Sequence, residues 1–130
     1  MNPTIQSLIS QALALLNSIS LTCTDPEIRI EARLFVGPKT CFEASPVCRP
    51  LHGSYWPPEL NNGRPLIYLS EESVAQQHPT PLKILVHELI HCARDEHASK
   101  WGLTRPRRDA QEEQLVRAIT ENLLRAEKPE

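Results

Sequence analysis

Residues 87–91 read His-Glu-Leu-Ile-His, and this HEXXH run constrains the fold more than any other feature of the chain. Helical spacing predicts a helix from residue 81 to about 94, on which His87, Glu88 and His91 fall in one narrow arc. The roughly opposite face carries the apolar residues Leu82, Leu85, Val86, Leu89 and Ala93. The pattern therefore predicts a helix with a packed back and an open front that bears the motif.

The residue types in this arc are suited to binding a metal ion. Imidazoles at positions i and i+4 stack on one face of a helix, so His87 and His91 can bind one Zn²⁺. Glu88 lies close to that face and can take a proton from a metal-activated water without being a ligand itself. The alternative is a solvated His-Glu-His face that binds no metal.

A third protein ligand is expected, because catalytic zinc usually has three protein ligands and leaves its fourth position for water. A second helix is predicted from residues 107–109 to about Leu124, with an apolar face formed by Leu115, Val116, Ile119, Leu123 and Leu124. Glu112 and Glu113 lie in its first turn, where the helix dipole also favours acidic residues that bind nothing. Asp109 and Glu112 form a D-x-x-E capping pattern, which would occupy Glu112 and leave Glu113 for the metal.

Residues 80 to 125 resemble the zincin metallopeptidases, and among them a minimal gluzincin. Gluzincins carry a glutamate ligand on a second helix, roughly twenty residues beyond the second histidine. Glu113 lies 22 residues and Glu112 lies 21 residues beyond His91. In thermolysin-like and phage-repressor-cleaving zincins this glutamate lies three residues before a small residue and six before a core aromatic, and Glu113 has the same spacing to Val116 and Ile119.

This resemblance implies a function and a set of site residues. We expect a zinc-dependent metallopeptidase with one Zn²⁺ per chain, bound by His87, His91 and Glu113, and with Glu88 as the general base. The leading alternative is a catalytically silent zincin-like module that binds zinc or a peptide and has a regulatory task. The oxyanion donor is not identified by any motif, and the available candidates are Tyr55, Tyr68, His52, His78 and His97. Asp95 or Asp109 could orient the ligand histidines.

His97 is the other candidate for the third ligand. Residues 87–97 have the ligand spacing of the metzincins, but Arg94 stands where that family has glycine, and Met1 is the only methionine. A further group of zincins places a histidine at this position with an aromatic residue four positions later, as His97 and Trp101 do here. The third ligand therefore stays open between Glu113, Glu112 and His97.

The rest of the chain predicts one small α+β domain over residues 1–130. An amphipathic helix is expected from the Asn2-Pro3 cap to Ile19, followed by one alternating strand over residues 28–36. Further elements are a short strand near 51–55, an edge strand at 66–69 after Pro65, and a short helix at 71–77. The zincin resemblance implies that an extended peptide substrate pairs with the edge strand.

Residues 37–64 are rich in proline and glycine but also contain Phe42, Tyr55 and Trp56. A long irregular segment in a small domain is usually either disordered or functional. The aromatic residues favour an ordered segment, and we expect it to hold a lid or to govern substrate selectivity.

Charge and cysteine content restrict the partners and the compartment. The net charge of −2 gives no basic excess for nucleic acid, and no apolar run has the length of a membrane span. The N-terminus lacks the basic region of a signal peptide, so we expect a cytoplasmic protein. The spacing of the four cysteines predicts reduced thiols and no zinc site, with a Cys41–Cys48 loop as the alternative under oxidising conditions.

Overall fold

The computed structural model describes residues 3–24, 26–32, 34–36, 49–77, 80–104, 106 and 109–127. Its helices and strands, in chain order, are α1 (Pro3–Ser18), β1 (Glu27–Glu31), β2 (Leu34–Val36), β3 (Arg49–Leu51), β4 (Gly53–Trp56), β5 (Leu66–Ser70), α2 (Glu71–Ala75), α3 (Thr80–Lys100) and α4 (Ala110–Glu127). A single 3₁₀ turn at Pro58–Leu60 lies between β4 and β5. The predicted α+β class is confirmed.

The main sheet has three strands in the order β1-β5-β4. Strand β5 is its centre, parallel to β1 and antiparallel to β4. The prediction that residues 66–69 form an edge strand is therefore wrong. Four of the five β5 residues are buried, as expected for a strand with neighbours on both sides, and Pro65 precedes the strand. Strand β4 has a single strand neighbour among the described residues, which makes it an edge of the sheet.

The single strand predicted at residues 28–36 is two strands in the structure. Strand β1 pairs with β5, whereas β2 pairs with β3 in a separate antiparallel ribbon, and the chain bends at Ala32. The alternating pattern continues through the bend because it reports only which side chains face a core. It carries no information on the partner of each half.

The Glu27 carboxyl on β1 accepts hydrogen bonds from Arg29 of the same strand and from Asn61, and these bonds hold its pKa below the usual value. The Asn61 bond joins the strand to the turn that follows the 3₁₀ segment.

Helix α3 runs through the middle of the described structure and packs against α1, α4, β4 and β5. The apolar face predicted for residues 82–93 is buried, and Ile90 and Cys92 are buried as well. The helix is longer than the predicted 81–94, because its stop signal is Gly102, at φ 66°. The amides of Gly102 and Leu103 donate to the carbonyls of Ser99 and Ala98, which is the Schellman pattern of a helix C-terminus.

The two long flanking helices follow their predicted patterns with small differences. In α1 the buried residues are Ile5, Leu8, Ala12 and Leu16. Ile19 lies beyond the helix end and is exposed, contrary to its predicted place on the apolar face. In α4, Val116, Leu123 and Leu124 are buried as predicted, whereas Leu115 is exposed. The short helix α2 begins at Glu71 as predicted and ends two residues early, with the Ser70 side chain as its N-cap.

A disulfide joins Cys23 to Cys92, so the prediction of reduced thiols is wrong for these two residues. Their Cα atoms lie 6.2 Å apart although 69 positions separate them in sequence. Spacing alone could not predict the pair, because the packing of the segment after α1 against α3 brings the two residues together. Glu96 on α3 reinforces this contact by accepting a hydrogen bond from the Thr24 amide at 2.9 Å.

Several predictions fall on residues outside the described ranges. They concern the Asn2 cap, Cys41, Cys48, His78 and most of the proline-rich segment, residues 37–48. None of the helices in the described part of the chain combines the length and the apolar character needed to cross a bilayer. The cytoplasmic location stays a prediction, and it loses the support of the thiols because disulfides are typical of oxidising compartments.

Candidate metal site

Three side chains from two helices converge on one point. His87 and His91 lie one turn apart on α3, and their Nε2 atoms are 3.3 Å apart. The Glu113 carboxylate, from the first turn of α4, lies 3.0 Å from His87 Nε2 through Oε2 and 2.9 Å from His91 Nε2 through Oε1. One ligand atom from each residue lies within 4.8 Å of the other two.

This arrangement fits a zinc ion. Tetrahedral zinc holds nitrogen and oxygen ligands at about 2.0–2.2 Å, which places the ligand atoms about 3.4 Å from one another. The two histidine nitrogens, 3.3 Å apart, lie close to that value, and the two Glu113 oxygens lie somewhat nearer to their histidines, at 3.0 and 2.9 Å. Two imidazoles and one carboxylate also form a known catalytic donor set, so both the chemistry and the spacing fit.

The cap of α4 and an ion pair to α3 together explain why Glu113, and not Glu112, points at the histidines. Asp109 Oδ1 accepts a hydrogen bond from the Glu112 amide at 3.0 Å, as the D-x-x-E pattern predicted. The Glu112 side chain, however, does not complete a capping box. It binds Arg94 on α3 through two hydrogen bonds of 2.6 and 2.9 Å. This bidentate pair fixes the rotation of α4 against α3, and the next residue, Glu113, then faces the arc of His87 and His91.

The other candidate ligands lie elsewhere. His97 is exposed on the same uninterrupted helix, and its ring centroid is 6.3 Å from that of Trp101. The metzincin arrangement would require α3 to end near Arg94, but the helix continues to Lys100. Glu112 is occupied by Arg94. The sequence left three alternatives, and the structure brings only Glu113 to the histidine pair among the residues that it describes.

The motif face is more enclosed than the predicted open front. His91 and Glu88 retain only 4% and 8% of their exposure, whereas the His87 side chain keeps 19% and that of Glu113 keeps 41%. The reading as a solvated His-Glu-His face is therefore wrong for two of its three residues. Helical phase gave the arc correctly, but it could not show that α4 and β4 cover the arc from either side.

An open cleft of about 570 Å³ gives access to the site. Its lining includes His87, Glu88 and Glu113 on one side and residues 51–55 on the other. Gly53 on β4 allows the close approach of strand and helix. A Cβ atom at this position would lie 2.8 Å from Ile84 Cγ2 and 3.2 Å from Glu88 Cγ.

The candidate oxyanion donors are not all near the cleft. Tyr55 and His52 line it, but the buried Tyr55 hydroxyl donates to Asp95 at 3.0 Å, and His52 Nδ1 lies 3.0 Å from Ser73 Oγ. Tyr68 packs edge-to-face against Trp56. Asp95, one candidate for orienting the histidines, accepts a hydrogen bond from Tyr55, and Asp109, the other candidate, accepts one from the Glu112 amide.

Sequence reasoning missed three residues that shape the site. Arg94 was considered only as a departure from the metzincin pattern, although an arginine three residues after His91 could have been matched with an acidic partner on the second helix. Gly53 and Arg117 carried no local signal, because their importance comes from an approach between elements far apart in sequence.

A second group of ligand-type residues comprises Cys23, Cys92 and Glu96. Its two sulfur atoms are joined in the disulfide, so they offer no thiolates to a metal. A second open cleft, of about 390 Å³, lies next to this group and is lined by the acidic residues Glu59, Asp95 and Glu96 together with Lys100.

The chain matches no known protein family, no curated protein and no solved structure. Its function is therefore inferred from the chemistry and geometry of the site.

Proposed function

We propose that this protein is a zinc-dependent metallopeptidase that hydrolyses peptide bonds. The observation that carries the proposal is the convergence of His87, His91 and Glu113 within 4.8 Å, on the face of α3 that also holds Glu88. The buried Glu88 carboxylate beside this trio supports the proposal, because a trio held only by hydrogen bonds would not need a base next to it.

His87, His91 and Glu113 are the residues that would hold the zinc ion. When bound, zinc lowers the pKa of a coordinated water and polarises the carbonyl of the bond to be cut. Glu88 lines the same cleft and accepts the proton of the attacking water, then delivers it to the leaving amine. Its burial strengthens this role, because a carboxylate in a poorly hydrated site interacts more strongly with nearby charge.

Strand β4 is the proposed binding edge for the peptide. It replaces residues 66–69, which the structure shows to be central in the sheet. Residues 51–55 line the cleft opposite the histidines, so a peptide paired with β4 would pass the candidate metal site. The absence of a side chain at Gly53 leaves Glu88 room beside this edge.

The experiment that tests the function compares the wild type with Glu88→Gln. We expect purified wild-type protein to contain about one zinc per chain and to cleave members of a mixed peptide library, with activity abolished by chelation and restored by zinc. Glu88→Gln should keep its zinc and lose at least about 100-fold in rate, because only the base is removed.

Metal analysis and mass spectrometry of the digests give the two readouts. Wild-type protein that binds zinc and cleaves nothing would favour the catalytically silent module, and Glu88→Gln with unchanged activity would remove Glu88 from the mechanism. A protein that binds no zinc would overturn the metal site itself.

A further inference from the structure

The catalytic cleft contains two cations that the proposed hydrolysis does not use. Lys83 on α3 and Arg117 on α4 line it together with the carboxylates of Glu88 and Glu113. The charges of these four side chains balance before a metal is counted, and Glu121 beside Lys83 adds one negative charge next to the cleft. A bound divalent cation would leave the cleft net positive, so an anionic group of a substrate would be attracted to it.

Arg117 is free to make such a contact. Its neighbours one turn away on α4 are Glu113 and Glu121, either of which could have paired with it. Glu113 instead contacts His87 and His91 through its two oxygens, and Glu121 lies 3.9 Å from Lys83 Nζ. Within the ranges that the structure describes, the exposed Arg117 makes no hydrogen bond or ion pair.

We propose that Arg117 is a specificity residue that selects substrates with a carboxylate next to the bond to be cut. The proposal rests on the proposed peptidase function. A guanidinium presents a planar pair of N–H donors that matches a carboxylate, which a lysine ammonium cannot do. Arg117 follows the ligand Glu113 by one helical turn, so a carboxylate bound to it lies beside the reacting centre.

The second cleft has the opposite charge, which supports the assignment of carboxylate binding to the cleft that Arg117 lines. Glu59, Asp95 and Glu96 outnumber Lys100 there, so that cleft repels a carboxylate. Tyr55 lines both clefts and separates them. A peptide on the β4 edge therefore meets a positive cleft at the reacting centre and a negative cleft beyond Tyr55.

The carboxylate could be the C-terminus of the peptide or the side chain of an aspartate or glutamate. Two pairs of matched peptides distinguish these sources. One pair carries glutamate or glutamine beside the cleaved bond, and the other carries a free or an amidated C-terminus. We expect the charged member of one pair to be cleaved with a kcat/KM about tenfold higher than its neutral partner.

In Arg117→Gln the preference should fall to nearly equal cleavage, and in Arg117→Glu it should reverse in favour of a lysine-containing peptide. The matched control is Arg125→Gln, on the same helix but outside the lining of the cleft, which should keep the wild-type preference. No preference in either pair, or a preference that survives Arg117→Gln, would overturn the proposal.

A binding measurement separates this proposal from the peptidase proposal. Two zinc-loaded proteins are titrated, Glu88→Gln and the double variant that also carries Arg117→Gln. The ligands are fluorescein-labelled alanine peptides in two pairs. One pair has a central glutamate or glutamine, and the other has a free or an amidated C-terminus. Tighter anisotropy-detected binding of a charged peptide, lost with Arg117, supports the selectivity even if the wild type hydrolyses nothing. Equal binding of both members of each pair contradicts it even if the wild type is an active peptidase.

Discussion

Glu112 and Glu113 are adjacent glutamates with different partners. The Asp109 cap sets where α4 begins, and the bidentate bond between Glu112 and Arg94 then sets how α4 faces α3. Consecutive helical residues point about 100° apart, so fixing Glu112 on Arg94 also fixes the direction of Glu113. The capping pattern favoured Glu113 by assigning the Glu112 side chain to the helix terminus, whereas in the structure that side chain is bound to Arg94 of the neighbouring helix.

Because their partners differ, Glu112→Ala and Glu113→Ala should have different effects on zinc affinity and on stability. Glu113→Ala should weaken zinc binding by at least about 100-fold. Removing a ligand should reduce the metal affinity by more than removing a residue that only hydrogen-bonds to a ligand, which costs about 10- to 100-fold. Glu112→Ala should reduce zinc affinity by less than about tenfold and lower the free energy of unfolding by about 1–2 kcal/mol through the lost Arg94 pair. His97→Ala serves as the control and should change neither quantity.

Competition with a chromogenic zinc chelator gives the affinities, and urea unfolding of the zinc-free proteins gives the stabilities. If His97→Ala or Glu112→Ala weakened zinc binding more than Glu113→Ala, the third ligand would have to be reassigned.

At the scale of elements, the site depends on how closely β4 approaches α3. The strand forms one wall of the cleft, and Gly53 is the position where a side chain would collide with the helix. The sequence predicted a strand near this position but gave the role of substrate edge to residues 66–69. A strand becomes an edge or a centre only when its partners are known, and β1 and β4 both pair with β5.

Gly53→Ala should therefore damage both stability and activity. The new methyl group would press on Ile84 Cγ2 and Glu88 Cγ, which we expect to lower the free energy of unfolding by about 1–3 kcal/mol and to displace Glu88, the proposed base. Adding Ile84→Ala should recover part of the activity, because it removes the nearest atom. Thermal unfolding and kcat would be compared for the single and double variants.

Ile84→Ala alone is the reference for the double variant. Gly53→Ala with wild-type stability and activity would contradict the proposed close contact of strand and helix.

At the scale of the whole molecule, the disulfide ties the segment after α1 to the centre of α3. Cys92 follows the candidate ligand His91 directly, so the tether acts on the turn of helix that holds the site. Buried residues of α1, β4, β5, α3 and α4 belong to one hydrophobic cluster, and Cys92 lies within it. The disulfide and the core therefore hold the same helix in place.

Reduction of this disulfide should lower the free energy of unfolding by about 2–4 kcal/mol, because a long loop gains freedom in the unfolded chain. Urea unfolding with and without a phosphine reductant measures the change at constant zinc. The control is a Cys23→Ser/Cys92→Ala variant, whose stability should not change with the reductant. A change in this variant would show that the reductant acts through Cys41 or Cys48. Wild-type protein with the same stability in both conditions would contradict a stabilising disulfide.

The sequence by itself determined the α+β class, the helical phase that groups His87, Glu88 and His91, and the Asp109 cap at the start of α4. These features follow from local rules of helix geometry and capping, which act over a few residues. The tertiary structure alone decided that Arg94 binds Glu112, that β4 is the edge beside the site, that Cys23 meets Cys92, and that Arg117 lines the cleft. Each of these joins residues far apart in the chain, and such contacts depend on how the elements pack and not on the pattern within any one of them.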